Sequence, residues 1–221
     1  MKWMEGILAN RFSRAPGRAV HAQLAWAFLL ATCVFLSSGC NYRLALVDTS
    51  PLDAAGMSYD SIQKVKAFKI TAPEVAELAK VRQSGLSDEG CVEILQIFRA
   101  RGKAFNAGDT VAGLMRAGVS GSTVLELAKL NQLDLGSGEL LAMRLASLSD
   151  DIILEVARHH AEGKTVLSGA SLAEMKNTGL RNSTLLELAR RGIGDSETSA
   201  ILASRGRGAN DAEILRRFQG S

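Results

Sequence analysis

The chain has 221 residues, with 26 Lys and Arg against 23 Asp and Glu, a formal charge of +3 and 5% aromatic residues. Residues 1–40 hold four of the basic residues and one of the acidic ones, which leaves 22 of each from residue 41 on. A neutral working chain argues against binding that rests on net positive charge, nucleic acid included.

The first element is a leader. Lys2, Arg11, Arg14 and Arg18 precede Leu24–Leu36, a run of 13 residues that is apolar apart from Thr32. Basic residues, a short apolar run and small residues after it have the order of a secretory signal. A helix that crosses a bilayer needs about 20 apolar residues, so this run is short for a span. Met4 offers a second start within the same leader. Ser37-Ser38-Gly39-Cys40 closes the run and resembles the lipobox of bacterial lipoproteins, with Ser37 where that motif usually has leucine. The resemblance implies cleavage before Cys40, acylation of its thiol and of the new amine, and a stable membrane anchor, since several chains hold where one is marginal. Cys33 then leaves with the leader, Cys40 is lipidated and Cys91 stands alone, so no internal disulfide is available.

Asn41–Asp60 contains Pro51 and Gly56 and lacks helical periodicity; it reads as a tether, with Tyr42–Val47 as a short strand. Ile62, Val65 and Phe68 then space a first helix. Thr71-Ala72-Pro73-Glu74 is a helix start, with threonine at N-cap, proline in the first turn and glutamate three residues on. From there, stops recur at Gly85, Gly102, Gly118, Gly163, Gly179, Gly192 and Gly206, with Gln132 and Ser147 where glycine is missing. At such a corner glycine takes the left-handed position, and the next apolar residue (Leu86, Val119, Leu180 or Ile193) folds back on the last turn. Helices this short require packing against one another.

A longer period overlies the corners. Gly118–Ala128 aligns with Gly179–Ala189 at an offset of 61, and Leu86-Ser87-Asp88 with Leu148-Ser149-Asp150 at 62. The copies read as about 71–133, 134–191 and a shortened third over 192–221. Gly85-Leu86-Ser87-Asp88-Glu89 and Arg116-Ala117-Gly118-Val119-Ser120 resemble a short Gly-[Val/Leu]-Ser helical repeat of bacterial exported and lipid-anchored proteins. That resemblance implies an all-α repeat module and brings no catalytic residue.

Gly118-Val119-Ser120 followed by Thr123-Val124 also has the spacing of a helix-turn-helix corner. The helix that would enter the groove reads Val124-Leu125-Glu126-Leu127-Ala128-Lys129-Leu130, apolar with one acid, which is poor chemistry for bases and phosphates. His159 and His160 are adjacent and point about 100° apart on a helix, so they do not form a metal pair. Asp150-Asp151 begin a helix, where carboxylates favour the macrodipole. Lys103 and Lys164 each follow a corner glycine, and neither Gly136-Ser137-Gly138 nor Arg205-Gly206-Arg207-Gly208 has the context of a phosphate loop. Cys91 lies among Val92, Ile94, Leu95, Ile97 and Phe98, a helix expected to be the most buried of the first copy.

The expectation is therefore an all-α protein: signal peptide 1–39, lipidated tether 40–60 anchored through Cys40, and tandem short-helix repeats over 61–221, arranged as a short α-solenoid or a compact helical bundle. No cofactor, metal or nucleic-acid partner is expected. The expected role is structural or adaptor, lipid-anchored in the cell envelope with a protein partner there. The alternatives are DNA binding through the helix-turn-helix corner, or an envelope enzyme whose site converges from several helices.

Overall fold

The computed structural model describes residues 47–219 except 134 and 136. The leader, Cys40 and residues 42–46 of the expected strand lie outside the described residues, and Val47 is in no strand. Twelve α-helices follow in order among the described residues: α1 (Ser50–Ala54), α2 (Tyr59–Ala67), α3 (Ala72–Gln83), α4 (Asp88–Ala100), α5 (Gly108–Arg116), α6 (Gly121–Leu130), α7 (Ser137–Leu145), α8 (Asp150–Ala161), α9 (Gly169–Asn177), α10 (Asn182–Arg190), α11 (Thr198–Gly206) and α12 (Asp211–Arg217). A single 3₁₀ turn, Asp195–Glu197, precedes α11. The all-α expectation holds.

The contacts select a stack over a bundle. Helices pair as six hairpins, α1–α2 through α11–α12, and each helix also packs on the helix two places before and after it. Two layers result, one of odd-numbered and one of even-numbered helices, and the main contacts run only to neighbouring hairpins. That is nearest-neighbour solenoid packing. One apolar cluster runs the whole length, from Leu52 and Met57 through Ile94, Leu127, Ile153 and Leu188 to Ile214. Its aromatic content is small, with Phe105 buried and Phe98 edge-on to it at 5.1 Å between ring centres.

The corners explain the turns. At the α3–α4 corner Gly85 has φ +102° and donates to Arg82 O at 3.1 Å, while Leu86 N–H reaches back to Val81 O at 3.4 Å. The same double bond recurs at Gly118–Val119, Gly179–Leu180 and Gly192–Ile193, and all four fold-back residues are buried. These backward bonds satisfy helix-end carbonyls that would otherwise lack partners. Two stops shift. The residue with positive φ after α6 is Asn131, not Gln132, because the short amide tolerates the left-handed region. The one after α11 is Gly208, since α11 runs through Gly206.

The tether is shorter than expected. Residues 50–60 belong to the body: Pro51 sits in the first turn of α1, Leu52 is fully buried, and Ser58 caps α2 by accepting from Ser61 N–H. The repeat frame moves with it. Each copy is two hairpins, α1–α4, α5–α8 and α9–α12, so the third copy is complete and the first is truncated at α1. Within the first copy α3, which buries Glu74, Val75, Leu78, Ala79 and Val81, is more enclosed than α4, where Val92, Ile97 and Phe98 are only half-buried.

Ser147 holds φ +59° with a side chain. Ser147→Gly is expected to raise stability by about 1 kcal/mol, and Gly179→Ala at φ +87° to lower it by a similar amount. Paired denaturant titrations check the opposite signs.

Candidate functional site

The conspicuous polar geometry is a clamp that occurs three times. Arg82 Nε lies 2.7 Å from Asp88 Oδ1, Nη1 donates to Leu86 O at 3.4 Å, and Nη2 to Gly56 O at 3.1 Å. Arg144 reaches Ala117 O at 3.3 Å, Leu148 O at 3.2 Å and Asp150 Oδ1 at 3.5 Å. Arg205 reaches Gly179 O at 3.0 Å, Ala209 O at 3.1 Å and Asp211 Oδ1 at 3.2 Å. Each guanidinium thus binds carbonyls at the corners of two successive hairpins. Each aspartate's other oxygen caps a helix start in the earlier hairpin: Asp88 accepts from Ser58 N–H at 2.8 Å, Asp150 from Ser120 N–H at 3.0 Å, and Asp211 from Arg181 N–H at 3.2 Å. Thr123 and Thr184 hydroxyls add bonds of 3.0 and 2.7 Å to Asp150 and Asp211. A planar fork against a carboxylate suits such a joint.

The intervening junctions use glutamates. Glu77 accepts from Gly108 N–H at 2.9 Å and Glu139 from Gly169 N–H at 2.6 Å, each capping the first helix of the next copy. Glycine is required at both positions. A Cβ on Gly108 would stand 2.5 Å from Glu77 O, and one on Gly169 2.7 Å from Glu139 Cγ. Glu74 is 2% exposed and accepts from Arg99, Phe105 N–H and Thr71. Burial pushes its carboxyl upward, but these donors outweigh burial and hold it at about 2 against an ordinary 4.5. Hydrogen bonds from Ser58 lower Asp88; those from Ser120 and Thr123 lower Asp150, and those from Thr184 and Arg181 lower Asp211, both against opposing burial.

The residues singled out by sequence do not converge. Cys40 lies outside the described residues. Cys91 is fully buried and its thiol is pushed up to about 12 by that burial, which makes it a poor nucleophile. His159 is buried beside Glu155 at 3.3 Å, while His160 faces out to Gln132 at 3.1 Å. Asp150 belongs to the clamp and Asp151 is exposed. Lys103 is solvent-facing and Lys164 pairs with Glu162. In α6, the candidate recognition helix, Val124, Leu127 and Ala128 are in the core, and Lys129 is held by Glu93 at 3.0 Å and Glu126 at 2.9 Å. Among the described residues no three His, Cys, Asp or Glu side chains gather to hold a metal ion. A shallow cleft of about 330 Å³ between the α4–α5 connection and the end of α6 has Phe98 and Leu133 in its floor and Arg101, Lys103 and Asn131 at its rim. Arg101 is already used there, bonded to Lys129 O and Asn131 Oδ1. The sequence does carry a signal for the clamps, one that the corner pattern passes over: Arg and Asp six residues apart recur at 82/88, 144/150 and 205/211.

No protein-family model, curated protein or solved structure matches this chain.

Asp150→Ala leaves Ser120 N–H and the Thr123 hydroxyl without their acceptor and Arg144 without its ion-pair partner, at an expected cost of about 2 kcal/mol, while Asp151→Ala is expected to be near neutral. Chemical denaturation of the two variants makes the comparison. Because Glu74 is depressed in the folded state, its contribution is present above its unfolded value and lost as pH falls from 4.5 toward 2. Glu74→Gln is expected to flatten that part of the stability–pH curve.

Proposed function

We propose that this chain is a lipid-anchored envelope protein whose helical stack serves as a scaffold for protein contacts and carries out no reaction of its own. The observation behind the reading is the Leu24–Cys40 stretch, an apolar run that ends Ser37-Ser38-Gly39-Cys40 behind four basic residues. Cys40 is the acylated first residue of the processed chain. Asn41 follows it in place of the aspartate that retains lipoproteins at an inner membrane, which favours the outer membrane facing the periplasm in a cell with two membranes. The scaffold half of the reading draws on the polar inventory. Glu77, Asp88, Glu139, Asp150 and Asp211 each join one hairpin to the next, and Glu74 ties α3 to α4 and to the α4–α5 connection. Repeat stacks of this kind characteristically offer extended surfaces to partners.

The test is metabolic labelling with palmitate. The wild-type chain is expected to take up label and fractionate with membranes, and Cys40→Ala to lose both. Label that persists in the Cys40→Ala variant, or a wild-type chain found whole and unlabelled in the cytosol, overturns the reading.

A further inference from the structure

We propose that the open side of the first hairpin, α1–α2, lies against an anionic lipid surface, with Lys64, Lys66, Lys69 and Tyr59 as the contacting groups. The proposal rests on the anchor reading and extends it to how the body sits on the bilayer.

Reach comes first. Ser50 opens α1, so nine residues separate it from Cys40, at most about 35 Å when fully extended. Six hairpins stacked at roughly 9–10 Å extend about 50 Å beyond the first, so the α1–α2 end is the one held at the membrane. Among the described residues that end is also an open face. On the side that continues the stack α2 packs on α4, and among the described residues nothing packs on its other side.

The groups on this end suit a lipid surface. Tyr59, Gln63 and Lys66 share one side of α2 at spacings of four and three residues, and Lys64 lies about 100° further round the helix, beyond Asp60. Lys64, Lys66 and Lys69 are exposed, and among the described residues none of them lies within ion-pair distance of a carboxylate. In the next hairpin, Lys80, Arg82 and Arg99 each have a carboxylate. Asp60 on α2 and Asp53 on α1 are the exposed acids near them. Lys69, exposed just past the end of α2, holds φ +51° at a corner where glycine serves elsewhere. Tyr59 is 74% exposed, and a tyrosine ring with its hydroxyl in water is suited to the headgroup layer. Each lysine at an anionic surface is worth about a fivefold preference, so three give roughly a hundredfold.

The experiment uses the full processed protein carrying Tyr59→Trp, reconstituted in vesicles of phosphatidylcholine alone or mixed three to one with phosphatidylglycerol. Trp3 and Trp26 leave with the leader, so the introduced indole is then the sole tryptophan. Mass spectrometry of the N-terminus first establishes acylation of Cys40. With phosphatidylglycerol, the indole emission is expected to move to shorter wavelength and to be quenched by brominated acyl chains. Lys64→Glu, Lys66→Glu and Lys69→Glu together are expected to cut the docked-to-free ratio by more than roughly a hundredfold, since each change removes a cation and adds an anion. A Leu145→Trp reporter, in the fourth hairpin of the chain with Tyr59 restored, is expected to stay water-exposed. An acylated Tyr59→Trp protein whose emission is the same in both vesicles, or unchanged by the three glutamates, overturns the proposal and leaves the anchor standing. A chain without acylation at Cys40 overturns both.

Discussion

A helix of 7 to 13 residues does not hold itself together in water, and every helix of this stack but α1, which is shorter still, falls in that range. Their ends, not their middles, therefore decide the architecture. Each corner exposes carbonyls that must find donors and amides that must find acceptors, and the Arg–Asp clamp supplies both in one joint. The guanidinium gathers carbonyls from two corners while its aspartate caps a helix of the earlier hairpin. Burial of Leu, Ile and Val fills the space between layers, but burial is non-directional. The clamps and corner bonds set the register of one hairpin on the next.

The clamps also account for the length of the repeat. Arg–Asp joints occupy the first, third and fifth junctions, and the glutamate caps Glu77–Gly108 and Glu139–Gly169 occupy the second and fourth. Two alternating joints make the sequence repeat every two hairpins, at 61 or 62 residues. The last described hairpin departs from this pattern. Position seven of the even-layer helices is Ile94, Leu127, Val156 and Leu188 in α4 to α10, and Arg217 in α12. The residue equivalent to Glu77 and Glu139 in the last described hairpin is Ala200.

Much of this is legible in the sequence, and the omissions have physical reasons. The all-α class, the glycine corners and the fold-back residues Leu86, Val119, Leu180 and Ile193 follow from local chemistry that sequence expresses directly. The helix α1 does not show because SPLDA is five residues with one buried side chain, too short for any period to appear. Asn131 adopts the glycine conformation with a side chain, so the spacing places that stop one residue late, at Gln132, whereas Ser147 falls where the spacing puts it. The choice of stack over bundle is a matter of which hairpins touch, which no local pattern records. The clamps are half visible: aspartate at a helix start is an ordinary N-terminal residue, and only its recurrence with an arginine six residues earlier marks it as a partner for another helix.

The carboxylates Glu77, Asp88, Glu139, Asp150 and Asp211 are spent on the joints between successive hairpins. Each hairpin is stabilised by its neighbours. Native-state hydrogen exchange, read peptide by peptide, tests that most directly. Stepped protection is expected, highest in α5–α8 and falling through α3–α4 and α9–α10 to the terminal hairpins, because end units lose a neighbour. Uniform exchange of all six hairpins at one rate, or a core of protection confined to one end, would contradict it.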